Sequence, residues 1–202
     1  MKQLGSEPLQ TARLDLRPFR ATDFQLAFDN WMSDPSVTKY LTWTPHAAPA
    51  FTRALLAQWE EQSASPEVYH WALVWRETGE VIGDLSVVAA DMRSERAELG
   101  YCLAQAFWGR GVMTEALTAV LAFLFGEVGF SRVEAKYATA NAASGRVLEK
   151  CGMKQEGILR RYVRLLSTDE WTDVAIRAVL REEWRCTAGG AVRWVNAAWS
   201  SK

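Results

Sequence analysis

Histidine is scarce in this chain and cysteine is odd in number. Two His (His46, His70) and three Cys (Cys102, Cys151, Cys186) stand among 202 residues, at spacings that match no metal-ligand pattern. No metal site and no disulfide framework is expected, and reduced thiols fit a cytoplasmic protein best. An excess of charge of one sign is also lacking. Twenty-three Lys and Arg against 24 Asp and Glu leave a net charge of −1, which speaks against direct nucleic-acid binding. No apolar run approaches bilayer length, the longest being VLAFLF at 120–125, and MKQLGSEPLQ at the start has no hydrophobic signal region. A soluble protein with no membrane partner is therefore expected. Repeats and low-complexity linkers are absent as well, so a single domain is expected over residues 1–202, with a core over about 11–185 and short flexible ends. Tryptophan, by contrast, is plentiful. Its ten copies fit an aromatic core or an aromatic-walled pocket.

The chain alternates strand-like and helix-like runs. TARLDLRPF (11–19) reads as a first strand, and Asp23 as the N-cap of a short helix carrying Phe24, Leu26, Phe28 and Trp31. Residues 33–49 form a turn-rich, aromatic loop, and a helix with Leu55, Leu56 and Trp59 follows over 50–62. Three strands come next, at 69–76, 80–89 and 96–104, the first two joined by the ETGE turn. Helix 112–128 is apolar nearly all round and therefore buried, with Gly129 as its stop. Strand 132–139, a helix capped by Asn141 and stopped by Gly152, and a hairpin about STDE (167–170) complete the pattern. Three consecutive strands exclude a regular βα alternation, which leaves a mixed α/β arrangement around one sheet of about seven strands.

Gly109 and Gly111, in AFWGRGVMTEAL (106–117), open the buried helix. No Lys-Ser or Lys-Thr pair follows them, as a Walker loop requires, and Thr114 stands where a dinucleotide fingerprint needs its third glycine. What remains is either a plain flexible turn or a nest of backbone amides, Trp108 to Met113, holding an anion at a helix N-terminus with Arg110 beside it.

The surroundings decide between these. AELGYCLAQAFWGRGVMTEAL, followed after one strand by NAASGRVLEKCGM, resembles the Gcn5-related N-acetyltransferase (GNAT) superfamily, and within it the branch that acetylates the N-termini of ribosomal proteins. TARLDLRPF and WTDVAIRAVLREEW resemble that branch's opening and closing segments, so the likeness runs over roughly 11–185. The resemblance implies a mostly antiparallel mixed sheet with helices on both faces. It also implies that acetyl-CoA lies in the V between the fourth and fifth strands, those ending near Leu103 and at Tyr137. Its cofactor-binding residues would be Cys102, Leu103, Trp108, Gly109, Arg110, Gly111, Val112, Met113, Asn141 and Ser144. Two departures stand out: Ala106 replaces the usual Gln or Arg of the phosphate loop, and Leu148 replaces a Tyr that many members use as the acid.

Acetyl transfer needs a positioned thioester, a neutral amine, an oxyanion donor and a proton for the thiolate. The last role falls to Ser144, as the acid that relays that proton, its alternative being a plain hydrogen bond in the first helical turn. Asn141 reads either as an N-cap or as a double contact to a pantetheine amide. Glu98 is the candidate base, its alternative a solvated strand carboxylate. Cys102 and Cys151 have no histidine nearby in sequence, so covalent catalysis is set aside. The acceptor would be a protein N-terminus, as in ribosomal-protein acetylation, or a small amine or antibiotic, with Asp34 and Glu98 neutralising its charge. A coenzyme A sensor without turnover is the rival reading, and a homodimer is a further expectation.

Overall fold

A computed structural model describes residues 1–184 and the backbone of Arg193–Trp194; Cys186, Trp199 and the Trp194 side chain lie outside the described residues. The elements run β1 (Leu9–Gln10), β2 (Leu14–Arg17), α1 (Phe24–Ala27), α2 (Pro35–Thr38), α3 (Pro49–Gln62), β3 (His70–Trp75), β4 (Val81–Asp91), β5 (Arg96–Leu103), α4 (Val112–Phe123), β6 (Arg132–Ala138), α5 (Ala142–Lys150), β7 (Lys154–Arg164), β8 (Trp171–Leu180) and β9 (Arg193–Trp194). They form a mixed α/β fold on one sheet, ordered β7-β8-β6-β5-β4-β3-β2-β1-β9 among the described residues. The sequence pattern shows seven of these strands; β1 and β9 are two residues long, too short for alternation to reveal.

Every pairing is antiparallel except β5 with β6. Alternation then assigns the faces. His70 meets Trp59 of α3 at 4.3 Å between ring centroids, while its neighbour Trp71 meets Phe123 of α4 at 5.9 Å. Helices α3 and α4 therefore cover opposite faces. The register Trp71–Leu85–Tyr101 carries the α4 face across to β5, and the register Ala72–Asp84–Cys102 carries the α3 face. Helix α4 is buried over most of its circumference, as its apolar composition requires, and a π-turn extends it to Val128 before Gly129 at φ 99°.

Asp23 holds the N-cap position of α1, as the sequence pattern has it, but its side chain caps no amide of that helix; a 3₁₀ turn, Ala21–Asp23, leads in with Arg20 before it. The buried Asp23 carboxylate reaches back to the Arg20 amide (2.9 Å) and grips both terminal nitrogens of Arg17 (2.8 Å each). A buried carboxylate is stable only with partners, and Arg17 and the Arg20 amide supply them together.

Strands β4 and β5 approach so closely at Gly83 that a Cβ there would lie 2.3 Å from the Cys102 carbonyl oxygen. Backbone cannot yield as a flexible side chain does, so Gly83→Ala is expected to destabilise the protein by about 1–3 kcal/mol. Thermal unfolding checks this, as each kcal/mol lowers Tm by roughly 2–4 °C in a chain of this size. An unchanged Tm would show that the two strands separate at no cost.

Candidate active site

The β5–β6 ladder is short. Arg96–Leu99 pair in parallel with Arg132–Ala135, and there the pairing ends, although β5 runs on to Leu103 and β6 to Ala138. Each strand remains paired on its far side, to β4 and β8 respectively. Backbone groups of residues 100–103 and 136–138 thus face one another with no ladder between them.

Which β5 groups face the gap follows from the register. Ala104 N–H donates to Ile82 O (2.8 Å), and the Cys102 carbonyl lies against Gly83. Even-numbered residues therefore spend their backbone groups on β4, and those of Tyr101 and Leu103 face the gap. This corrects the reading of Cys102 as a backbone contact for the cofactor. Its thiol is no nucleophile either: burial and the neighbouring Asp84 carboxylate push it well above its ordinary range. Cys151 is pushed up to about 11 by burial, so it too stays protonated at neutral pH. The Leu103 carbonyl accepts a hydrogen bond from the Trp108 indole (2.7 Å), which leaves its N–H for the gap. Trp108 thereby ties the following loop to the end of β5.

That loop leads into α4 with Gly109 at φ 73° and Gly111, the N-cap, at φ 73° and ψ 8°. No side chain caps the helix, and its first internal bond is Glu115 N–H to Gly111 O (3.0 Å). The amides of Val112, Met113 and Thr114 precede that bond, as the leading amides of any helix do. Gly109, Arg110 and Gly111 are exposed, and the Arg110 guanidinium carbon lies 5.2 Å from the Phe107 ring centroid and 5.6 Å from that of Trp75.

Helix α5 brings in the other candidates. The Asn141 carbonyl oxygen accepts from Ser144 N–H (3.2 Å) and so acts as the N-cap. The side-chain NH₂ makes no hydrogen bond among the described residues, and the carbonyl oxygen keeps a second lone pair. Ser144 Oγ lies 2.7 Å from the phenolic oxygen of Tyr101, which is also 3.3 Å from the Ser144 carbonyl. Tyr101 is the residue that sequence reasoning missed; its only signal was its place on the α4 face of β5. Burial raises its phenol further above the ordinary value of 10, so it holds its proton and serves as a donor. Leu148 is fully buried in the core and supplies no acid. The helix sits close over β6 because position 145 is glycine: a Cβ there would lie 2.8 Å from the Tyr137 hydroxyl.

Glu98 stands on the opposite, α3 face of β5, and Lys136 Nζ donates to it at 2.5 Å. Burial alone would lower the Lys136 ammonium, but the Glu98 carboxylate outweighs it and raises it. Asp34 caps α2 through one carboxylate oxygen, which accepts from Ser36 N–H (2.8 Å) and from the Ser36 hydroxyl. The aromatic loop and the β7–β8 hairpin meet where Ser167 Oγ donates to Lys39 O (2.9 Å).

An interrupted parallel pair beside an uncapped, glycine-opened helix is the arrangement that the motifs imply. The family model described as an acetyltransferase (GNAT) domain matches residues 13–154. The chain belongs to the GNAT family. It is 31% identical over 178 residues to the uncharacterized N-acetyltransferase p20 of Bacillus licheniformis, a match covering 88% of this chain and 98% of that one. Ribosomal protein uS5-alanine N-acetyltransferase of Escherichia coli (strain K12) is 29% identical over 140 residues, 69% of this chain and 71% of its own. The microcin C7 self-immunity acetyltransferase MccE, solved in complex with acetyl-CoA and AMP, superposes with a TM-score of 0.73 over 84% of this chain and 93% of its own. At 18% identity it speaks for the fold alone. This GNAT chain is thus an enzyme of the N-acetyltransferase class. None of its described helices is long and apolar enough to cross a membrane, and its described residues hold no cluster of three or more metal-ligating side chains.

Proposed function

We propose that this GNAT enzyme moves the acetyl group of acetyl-CoA directly to a primary amine, with the pantetheine arm in the β5–β6 gap and the pyrophosphate on the α4 amides. The carrying observation is the end of the β5–β6 ladder at Leu99 and Ala135, which leaves gap-facing backbone groups on Tyr101 and Leu103. A thioester there has Glu98 on one face and Ser144 with Tyr101 on the other. The amine arrives as ammonium on the Glu98 face and gives up a proton to that carboxylate through a water. Its nitrogen then forms a bond to the thioester carbon and gives up its second proton to solvent. The Tyr101 or Leu103 N–H steadies the oxyanion, and the C–S bond breaks toward Ser144. Tyr101 is a poor proton source, because a phenol raised above 10 holds its proton against a thiolate whose thiol titrates near 8.5. It donates a hydrogen bond to Ser144 instead, and Ser144 O–H donates to the sulfur until solvent protonates it.

The first test is calorimetric titration with acetyl-CoA, with NAD and ATP as controls. Micromolar binding to acetyl-CoA alone, about −8 kcal/mol, is expected; no binding would reduce the glycine loop to a turn. For the acceptor we favour a protein N-terminus, on the likeness to the E. coli ribosomal protein acetyltransferase. Thiol release with alanine-initiated peptides and with small amines compares the two classes.

As the base, Glu98 takes the amine proton in the reaction. Glu98→Gln is then expected to lower kcat/KM about a hundredfold or more, with acetyl-CoA affinity unchanged. Undiminished turnover would leave Glu98 as a structural partner of Lys136.

A further inference from the structure

Glu115 stands in the first turn of α4, at the mouth of the proposed anion cradle, where an unpaired carboxylate would repel the phosphates of the cofactor. It is not unpaired. Its carboxylate accepts from Thr11 Oγ1 (2.6 Å), Arg13 N–H (2.9 Å) and Arg13 Nε (2.7 Å), and Arg13 Nη2 lies 2.7 Å from the same Oε2. Burial would raise the Glu115 carboxyl, but these bonds outweigh it and hold the group below the usual carboxylate range, so it is charged at neutral pH.

The remaining terminal nitrogen of Arg13, Nη1, donates to the Arg110 carbonyl (3.1 Å), in the middle residue of the glycine loop. One guanidinium therefore bridges the first turn of α4 and the loop before it. Its Nη2 lies 3.9 Å from where a Cβ of Gly111 would stand. It is also 5.7 Å from the Trp75 ring centroid, against which Arg110 packs at 5.6 Å. Two guanidinium groups thus converge on one indole beside the two left-handed glycines, with Glu115 compensating one of them. Arg13 remains part-exposed, and the clamp leaves it N–H donors to spare on a planar, always-charged group.

We propose that Arg13, clamped by Glu115, is a positioning residue of the phosphate loop and a second cation for the phosphates of coenzyme A. The inference rests on the reading that this loop holds acetyl-CoA. Sequence alone does not show it, since Thr11 and Arg13 reach Glu115 from more than a hundred positions away.

The test compares acetyl-CoA with S-acetylpantetheine, which carries the same thioester without the nucleotide phosphates. In Arg13→Ala the ratio of kcat/KM for acetyl-CoA to that for S-acetylpantetheine is expected to fall about tenfold, mainly through KM for acetyl-CoA. A general structural lesion would lower both alike, and an unchanged ratio overturns the proposal. Glu115→Gln sharpens the test and keeps the side-chain volume. Its carbonyl still serves Thr11 and the Arg13 amide, but its NH₂ turns a donor toward the guanidinium and breaks the clamp. Loss of a negative charge near the phosphates would by itself tighten binding of acetyl-CoA, whereas loss of the clamp weakens it. Weaker binding, read by calorimetry on protein whose circular dichroism is unchanged, supports the clamp; tighter binding overturns it. Wild-type protein that fails to bind acetyl-CoA overturns the parent reading as well. Wild-type protein that binds while Arg13→Ala binds equally overturns this inference alone.

Discussion

Removing the Ser144 hydroxyl, in Ser144→Ala, is expected to slow release of free coenzyme A thiol about a hundredfold, the low end of the range for a donor that acts only on developing negative charge. Acetyl-CoA affinity should change little, because the ground-state thioester sulfur carries no charge to stabilise. Tyr101→Phe should fall in the same direction. It removes the hydroxyl that lies 2.7 Å from Ser144 Oγ but keeps the ring on the α4 face of β5. The double variant decides whether the two act as one unit. If Tyr101 works through Ser144, the second substitution adds little to the first. Fully additive losses would mean that Tyr101 acts on the substrate separately. Single variants with wild-type turnover would leave this hydrogen-bonded pair as packing between β5 and α5.

That pair also marks where sequence reading stops. The strands and helices announce themselves because each is a local pattern: α4 is apolar nearly all round, and β3 and β4 are largely apolar runs about a tight turn at Gly79. Contacts across the fold leave no such trace. Tyr101 and Ser144 are 43 residues apart and Glu98 and Lys136 are 38 apart, and each pair meets only because β6 and α5 fold back beside β5. The misreading of Cys102 has a related cause. Alternation predicts which way side chains point, but which backbone groups are spent on β4 depends on the register between the strands. Asn141 was legible as a cap because capping is local, and it caps here. Asp23 was legible by position as the residue before α1, but its bonds to Arg17 and back to the Arg20 amide depend on the 3₁₀ turn that leads in.

Gly111→Val is expected to weaken acetyl-CoA binding by one to two powers of ten. Gly111 is the α4 N-cap at φ 73° and ψ 8°, a conformation that costs a β-branched residue about 1–3 kcal/mol. An added Cβ is not crowded, since the nearest atom to it is Arg13 Nη2 at 3.9 Å. The penalty therefore falls on backbone geometry, and the chain escapes it by rotating the Gly111 peptide out of the left-handed region. That rotation re-aims the amides that lead into α4, and with them the groups proposed to hold the pyrophosphate. Stability should suffer less than binding, because the loop is exposed while α4 stays locked in the core through Val112, Met113 and Ala116. Calorimetry with acetyl-CoA and a thermal melt on the same sample separate the two effects. A large loss of affinity with a small change in Tm supports a cradle built from backbone. Undiminished affinity would mean that the phosphates are held by side chains such as Arg13 and Arg110 alone, with the glycine amides facing only water.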